Sequence, residues 1–469
     1  MNTPSSKKFI NSAGPLPQLI GSSKRISFRL CLSAAAVLAA FPTHAFDFGP
    51  DDMFGVNGFG EVRFGMRNNQ CSDCQWSSDK NKQAYWDDPI IPGREFKSSG
   101  FTFWQIQPDL TARYNLGGGY KFLAALSQRW TNDTSSEHGG TVDVPNQGSI
   151  WTGYWYKKFV EVTHEDYGTL RVGHMTTQAW NLSDKYTYET SISGTLSPTG
   201  AGYGMLTSAI RFTSRPIDAF KGTMIVEGTY DLGNTEFNVH EPAFLELYAK
   251  YDVGDLHLDG VLQSTRNGTP GAWGQGPFTG LTPNNSDGNN EALVGSSQGI
   301  SMLLARYQVD KKLEVLGGVR YNWWSGATAV RIKNSSGWNS MFNVNWSPDG
   351  WSLDGKSVNG YPADSVDLML GARYRMGKWL TNGGLAYFGT ANTDNPYDRG
   401  QNNSALVGGF GMEYDYADGV KLTFQTGAVH YARLGLSPLS MGQNTGINYS
   451  DSRVTRDSNW FSVGMVFGF

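Results

Sequence analysis

Apolar runs long enough to cross a bilayer as helices are missing from this sequence. Beyond residue 45 none approaches the roughly 20 residues a spanning helix needs, which excludes a helical membrane protein. Charge is scarce as well. Asp, Glu, Lys and Arg together make 17% of the 469 residues, below the usual quarter or so, and this argues against a disordered or nucleic-acid-binding chain. Cysteine is down to three residues. What the chain does have is glycine and aromatics: 58 Gly, 25 Phe, 22 Tyr and 15 Trp. The glycines follow no three-residue period, so collagen is excluded. A glycine- and aromatic-rich, strand-dominated protein survives these exclusions.

The first 45 residues hold Lys7, Lys8, Lys24, Arg25 and Arg29, no acid, and an apolar stretch from Leu30 to Phe41 before Pro42-Thr43-His44-Ala45. A basic segment, an apolar run of about a dozen residues and a small-residue cleavage site describe a secretory signal peptide. Cleavage is expected after Ala45, leaving residues 46–469 as the mature chain. Cys31 lacks the small preceding residue that a lipoprotein site wants. Loss of the five bases moves the formal charge from −4 to −9, and a secreted acidic chain does not look like a nucleic-acid binder.

Cys71 and Cys74 then remain, as Cys71-Ser72-Asp73-Cys74. Haem attachment would need His at position 75, where Gln75 stands. A zinc site would need two more ligands close by, and a thioredoxin-type pair would open a helix. The surrounding Asn/Ser/Asp/Lys-rich stretch offers neither, which leaves a small disulfide in an exported loop or idle thiols. No metal site and no cofactor is expected.

The mature chain alternates apolar and polar residues in segments of about ten, separated by turns. Val62, Phe64 and Met66 alternate with Glu61, Arg63, Gly65 and Arg67. Trp104, Ile106, Leu110, Ala112 and Tyr114 alternate with Gln105, Gln107, Asp109, Thr111 and Arg113. The pattern recurs through Leu303–Val309, Leu313–Trp323, Val366–Tyr374 and Leu406–Tyr414. It ends with Phe461, Val463, Met465, Phe467 and Phe469 on one face. About sixteen such segments can be counted. Short turns near 117–119, 166–168, 215–221, 254–255, 310–312, 376–378 and 417–419 alternate with long polar connections. A soluble sandwich has no reason for that asymmetry. A transmembrane barrel has one, because short turns face the periplasm and long loops face outside. In lipid every backbone polar group needs a partner, so the strands must close on themselves.

Parity then describes the interior. Opposite the apolar face stand Glu61, Arg63, Gln105, Asp109, Arg113, Arg129, Glu161, Arg171, Arg211, Glu246, Arg320 and Arg373. A charge facing hydrocarbon costs about 2–4 kcal/mol at the midplane, so these groups need a wet lumen. Sixteen strands leave an aqueous channel where eight fill with their own side chains. The reading is an all-β transmembrane antiparallel barrel enclosing a water-filled pore.

Three stretches resemble the general bacterial (Gram-negative) porin family. Val56-Asn57-Gly58-Phe59-Gly60-Glu61-Val62-Arg63-Phe64 is similar to its first strand. Tyr167-Gly168-Thr169-Leu170-Arg171-Val172-Gly173-His174 looks like its turn into the fifth strand. Ser462-Val463-Gly464-Met465-Val466-Phe467-Gly468-Phe469 matches its C-terminal assembly signal, with Gly464, Phe467 and the terminal Phe469. The chain departs from the family at His174, where Arg is usual, and at Ser197-Pro198-Thr199-Gly200, where the family has a Pro-Glu-Phe-Gly-like tip. The resemblance implies about 16 strands (18 possible), an outer-membrane location amid lipid and lipopolysaccharide, insertion by the barrel assembly machinery, and a homotrimer. It implies passive diffusion of ions and small hydrophilic solutes. It also implies that residues 176–208 fold inward, with Asp184, Lys185, Tyr186, Tyr188 and Glu189 on the loop side of a constriction. Arg63, Arg113, Arg129 and Arg211 would form the facing basic wall, Arg113 being close to the periplasmic rim. Acids opposite bases would set up a transverse field.

A second reading is a substrate-selective uptake channel of 16 or 18 strands for a sugar, organic acid or aromatic solute, in which segments of 325–364 form an extra hairpin or extend strands beyond the bilayer. A barrel enzyme is not expected: His138, His164, His174, His240, His257 and His430 sit in no recognisable catalytic motif. No repeat or binding motif supports an adhesin.

Overall fold

The computed structural model describes residues 46–50, 53–70, 99–131, 154–192, 196, 201–231, 243–266, 296–327, 359–390, 392–393, 400, 402–432 and 456–469. Cys71, Cys74 and the leader lie outside these residues, as does the central part of 325–364. Sixteen long strands account for most of them. They are β1 (Phe54–Gln70), β2 (Ser99–Gly117), β3 (Tyr120–Thr131), β4 (Tyr154–His164), β5 (Gly168–Thr176), β6 (Met205–Thr213), β7 (Gly222–Asp231) and β8 (Ala243–Val253). Then follow β9 (Leu256–Arg266), β10 (Ser296–Gln308), β11 (Leu313–Ala327), β12 (Asn359–Met376), β13 (Trp379–Phe388), β14 (Ala405–Ala417), β15 (Val420–Tyr431) and β16 (Asp457–Gly468). Three short pieces extend them. Phe46–Phe48 pairs with β1, Ile217–Ala219 with β7, and Asn392–Thr393 with β12.

Each long strand pairs antiparallel with its neighbours in chain order, and the ring closes where β16 meets β1, from Asp457↔Gln70 to Gly468↔Phe59. Phe469 completes the seam. Its N–H donates to the Gly58 carbonyl at 3.0 Å, and its own carbonyl accepts from Gly58 N–H at 2.8 Å. Among the described residues, closure leaves each long strand paired on both sides, the condition lipid imposes. The seam packs tightly because Gly58 and Gly60 leave room on the sheet for the rings of Phe469 and Phe467, which stack at 6.4 Å.

The period-2 pattern places the aliphatic belt on the outside. Val160, Val172, Ile210, Leu247, Leu262, Leu303, Leu368, Leu385, Leu406 and Val463 are all exposed. Tyr114, Tyr120, Tyr167, Tyr307, Tyr374, Trp379 and Tyr416 crowd the ends nearest the short turns. Amphipathic rings at that level are the girdle expected at a bilayer interface. The turns themselves are built for tightness. At Asp310 the side-chain Oδ1 accepts from the backbone N–H of Lys312 (2.6 Å) and of Leu313 (2.9 Å), and these bonds hold its carboxyl below the ordinary carboxylate range.

Candidate functional site

Between β5 and β6 the chain leaves the wall and forms a helix, α1 (Gln178–Tyr188). Thr177 caps it: its Oγ1 accepts from Trp180 N–H at 3.1 Å and donates to the Tyr203 carbonyl at 2.7 Å. Helical spacing sorts the side chains into two faces. Ala179, Leu182, Ser183 and Tyr186 are buried, whereas Gln178, Asn181, Asp184, Lys185 and Tyr188 retain exposure.

The helix N-terminus is held by a carboxylate. Glu246, buried on β8, accepts the free N–H groups of Gln178 (2.9 Å) and Ala179 (3.1 Å) and is bonded by Gln263 Nε2 at 2.6 Å. A negative group there satisfies otherwise orphan donors and complements the helix dipole. Arg211 on β6 lies beneath it, 3.0 Å from Glu227 and 3.5 Å from Glu246, and donates to the Thr176 carbonyl at 2.9 Å. Farther along, Tyr186 donates to Asp259 at 3.0 Å and carries the Arg306 guanidinium over its ring at 4.3 Å. Burial, more than the Asp259 charge, pushes the Tyr186 hydroxyl up from its ordinary value. Glu189 pairs with Arg306 and lies 3.8 Å from Arg373.

Beyond the helix, Thr190, Ser191 and Ile192 press onto the inner wall. Ser191 takes a left-handed φ of 56° and places its Oγ 2.5 Å from Asn382 Oδ1 on β13. The wall there is floored by glycine. Gly371, Gly384 and Gly409 are register partners across β12, β13 and β14, and Gly411 lies two residues further along β14. A Cβ on Gly384 would stand 2.8 Å from Thr190 Cβ, one on Gly409 would collide with the Ser191 carbonyl, and one on Gly411 with Ser191 Oγ. The return is tied at Leu196, whose carbonyl accepts from Arg320 Nη1 at 2.7 Å. It is tied again at Ala201 and Tyr203, whose N–H groups donate to Asn322 (3.2 Å) and Gln263 (3.0 Å).

This segment leans on the inner face of β8 to β14 and the adjoining parts of β15 and β16, where apolar side chains lie among buried charges such as Glu246, Asp259, Arg320 and Asp367. Ile300, Met302, Leu304, Leu316, Met369, Ala386, Phe388, Val407, Val429 and Trp460 form a buried cluster with Ala179, Leu182, Tyr186, Ile192 and Leu196. The charges that parity turned inward here, Glu246, Arg320 and Arg373, do lie on this face, beside the apolar cluster. These strands carry apolar residues on both faces because one meets the outside and the other meets α1 and its continuation.

The facing arc, β1 to β5, is charged. Arg63 pairs with Glu61 and lies 5.6 Å from the Tyr188 ring. Arg129 stacks on Tyr156 at 4.1 Å and donates to Gln107 at 2.8 Å. Lys157 meets Asp109 at 2.8 Å, and Arg171 meets Glu161 at 2.6 Å while covering the Phe159 ring at 4.3 Å. Between this wall and α1 lies a half-open cavity of about 540 Å³, lined among others by Asp109, Tyr156, Lys157, Arg171, Gln178 and Asn181.

The residues singled out from sequence therefore divide. Asp184, Lys185 and Tyr188 share the face of α1 that keeps exposure, and Arg63 and Arg129 belong to the wall opposite. Tyr186 and Glu189 point the other way, into Asp259, Arg306 and Arg373. Arg211 is buried under the helix N-terminus and is among the residues lining the cavity. Arg113 sits at the short-turn end, exposed and paired with Asp47 at 2.9 Å. Packing against α1 sets the first three placements, and position along the strand the fourth, at the rim where the sequence put it. Lys157, Arg171, Gln178 and Asn181 were not singled out for the site. A signal existed for the last two, since 178, 181, 185 and 188 follow a helical period after a Thr cap.

No family model matches the sequence, and no curated protein matches it. Solved structures do. The anion-selective porin from Comamonas acidovorans superposes with a TM-score of 0.54 at 12% identity, covering 89% of this chain and 99% of that one. The outer-membrane expressed OmpT of Vibrio cholerae gives a TM-score of 0.50 at 12% identity, covering 90% of this chain and all of its own. This is the porin fold. At such identity the likeness is one of architecture, and what passes through this porin fold has to be argued from its own side chains.

Proposed function

We propose that the chain is an outer-membrane porin whose water-filled channel admits ions and small hydrophilic solutes by passive diffusion. One observation carries this reading: a closed sixteen-stranded barrel with an aliphatic exterior holds ion pairs on its inner β1–β5 face, across a cavity from the polar side of α1. Charges inside a membrane pair with one another or face a water-filled cavity, and these are only partly buried beside one. Asp184, Lys185 and Tyr188 on one side, and Arg63, Arg129, Lys157 and Arg171 on the other, form the narrow zone. There the alternation of acids and bases favours polar over apolar solutes. Purified protein in planar bilayers should give stepwise, ohmic conductance. A protein that inserts and stays electrically silent would contradict the proposal.

The finer expectations rest on the same footing. Residues 1–45 act as a cleaved leader, and the amino terminus of the exported protein should be Phe46. Gly464, Phe467 and Phe469 act in assembly through the barrel insertion machinery, and deleting Phe469 should lower the folded yield. The barrel is a homotrimer in contact with lipopolysaccharide, for which crosslinking in whole outer membranes is the check. That the chain works as a channel and not as an enzyme is supported by its likeness in fold to a porin.

A further inference from the structure

We propose that the glycines at positions 371, 384, 409 and 411 are positioning residues for the channel. They form a side-chain-free recess in the β12–β14 wall that seats Thr190–Ser191–Ile192 and so sets the width of the passage. The inference rests on the channel reading and names the part of the barrel that fixes its bore.

The argument is one of clearance. Gly371↔Gly384 and Gly384↔Gly409 are direct register partners, so three hydrogen-bonded strands carry no side chain along one row. That row spans two strand spacings, about 10 Å. On either side the same inner face is filled, by Leu316 next to Gly371 and by the Trp460 ring lying over Gly427. The gap is therefore bounded, and the chain occupies it. Thr190 fills the space that Cβ atoms on Gly371 and Gly384 would need, and Ser191 and Ile192 fill those of Gly409 and Gly411. At Gly409 the obstacle is the Ser191 backbone, which cannot swing aside as a side chain can. Glycine inside a strand forfeits packing and weakens it, so a row of them in a barrel wall has to be offset by something that needs the room. The left-handed turn at Ser191 and the hydrogen bonds of its N–H to the Tyr188 carbonyl (3.2 Å) and of Ile192 N–H to the Thr187 carbonyl (3.0 Å) join this seat to the end of α1. Filling the recess must lift that end toward the β1–β5 wall or expel the segment.

Gly409→Val tests this in the refolded full-length barrel, checked for closure by its heat-modifiable migration. Backbone amides of Ser191 and Ile192 should lose their protection against hydrogen exchange while those of β12 to β14 keep theirs. Single-channel conductance should change by about twofold or more, as the open area changes. Gly411→Ala clashes only with side-chain atoms, Ser191 Oγ first and Asn382 Oδ1 at 2.9 Å. Ser191→Gly in the same molecule removes the first and frees Asn382 to turn aside, so it should return conductance to the parental value, because glycine accepts the positive φ. Unchanged conductance and protection in folded Gly409→Val would overturn the seat while leaving the channel intact. Failure of Ser191→Gly to rescue Gly411→Ala would also overturn it. A parental protein that inserts without conducting would instead remove the channel reading, and the exchange experiment would still decide whether the recess holds the segment.

Discussion

The two halves of the barrel interior solve opposite problems with the same strand pattern. On the β1–β5 arc, inward residues are charged, partly exposed and paired across or along strands, as Lys157 with Asp109 and Arg171 with Glu161. On the β8–β14 arc, inward residues include the apolar cluster under α1 and the glycine row, together with the most deeply buried pair: Arg320 and Asp367 are each 1% exposed and joined at 2.8 Å, while Arg306, Glu314 and Arg373 keep 11%, 19% and 21%. The difference teaches that a wide barrel is not obliged to be wet all round. Folding one connection inward converts half of the wall into an ordinary protein core, with the penalties and gains of one, and leaves the other half to the solvent.

That contrast is most sharply broken at its charges. Asp367→Asn should strand Arg320 among buried groups, and loss of one partner of a buried pair costs about 3–5 kcal/mol. Lys157→Met, at a pair whose side chains are 35% and 18% exposed, should cost under about 1 kcal/mol. Urea midpoints of the refolded barrel give both numbers, and equal losses would erase the distinction. Next in size is Leu304→Ala, facing α1, expected to cost about 2–4 kcal/mol. Leu303→Ala, on the exposed outer face, should change the midpoint little in detergent.

Selectivity sharpens the comparison from the other side. Neutralising Arg129 and Arg171 together should move the reversal potential in a salt gradient toward cations, and Asp184→Asn should move it toward anions. Glu189→Gln, turned to the covered arc, should leave it almost where it was. A Glu189→Gln shift as large as that of Asp184→Asn would place both carboxylates on the passage. The smallest effect is expected at the rim. Asp310 has a folded carboxyl held low by two backbone donors, so its contribution is present above the ordinary carboxylate range and fades as pH falls through the lowered value. Asp310→Asn should remove that acid-side dependence at the turn and leave conductance alone.

The outer face was legible because period-2 alternation in a lipid-facing strand has only one physical cause, and residues such as Leu368 and Leu370 against Asp367 and Arg373 display it plainly. The long and short connections were legible for the same reason. The interior was less so. Parity says which side chains turn inward, but it cannot say which of them a later segment will cover. Tyr186 and Glu189 look identical in kind to Tyr188 and Asp184 until α1 has a direction. A clue lay unread in the stretch Ile300-Ser301-Met302-Leu303-Leu304, apolar on both faces in the way of a strand buried on both sides. The glycines of β12–β14 carried no local signal. Their meaning comes from register, which aligns residues far apart in sequence and is settled only when neighbouring strands pair.

The segment from Thr177 to Ile192 is pinned at both ends, by the Glu246 carboxylate on β8 at one and by the β12–β14 recess at the other. It behaves as a beam on two supports and not as a tethered flap. Current through such an opening should be quiet, with a narrow spread of open levels and little flicker, because the obstacle that defines its resistance has nowhere to swing.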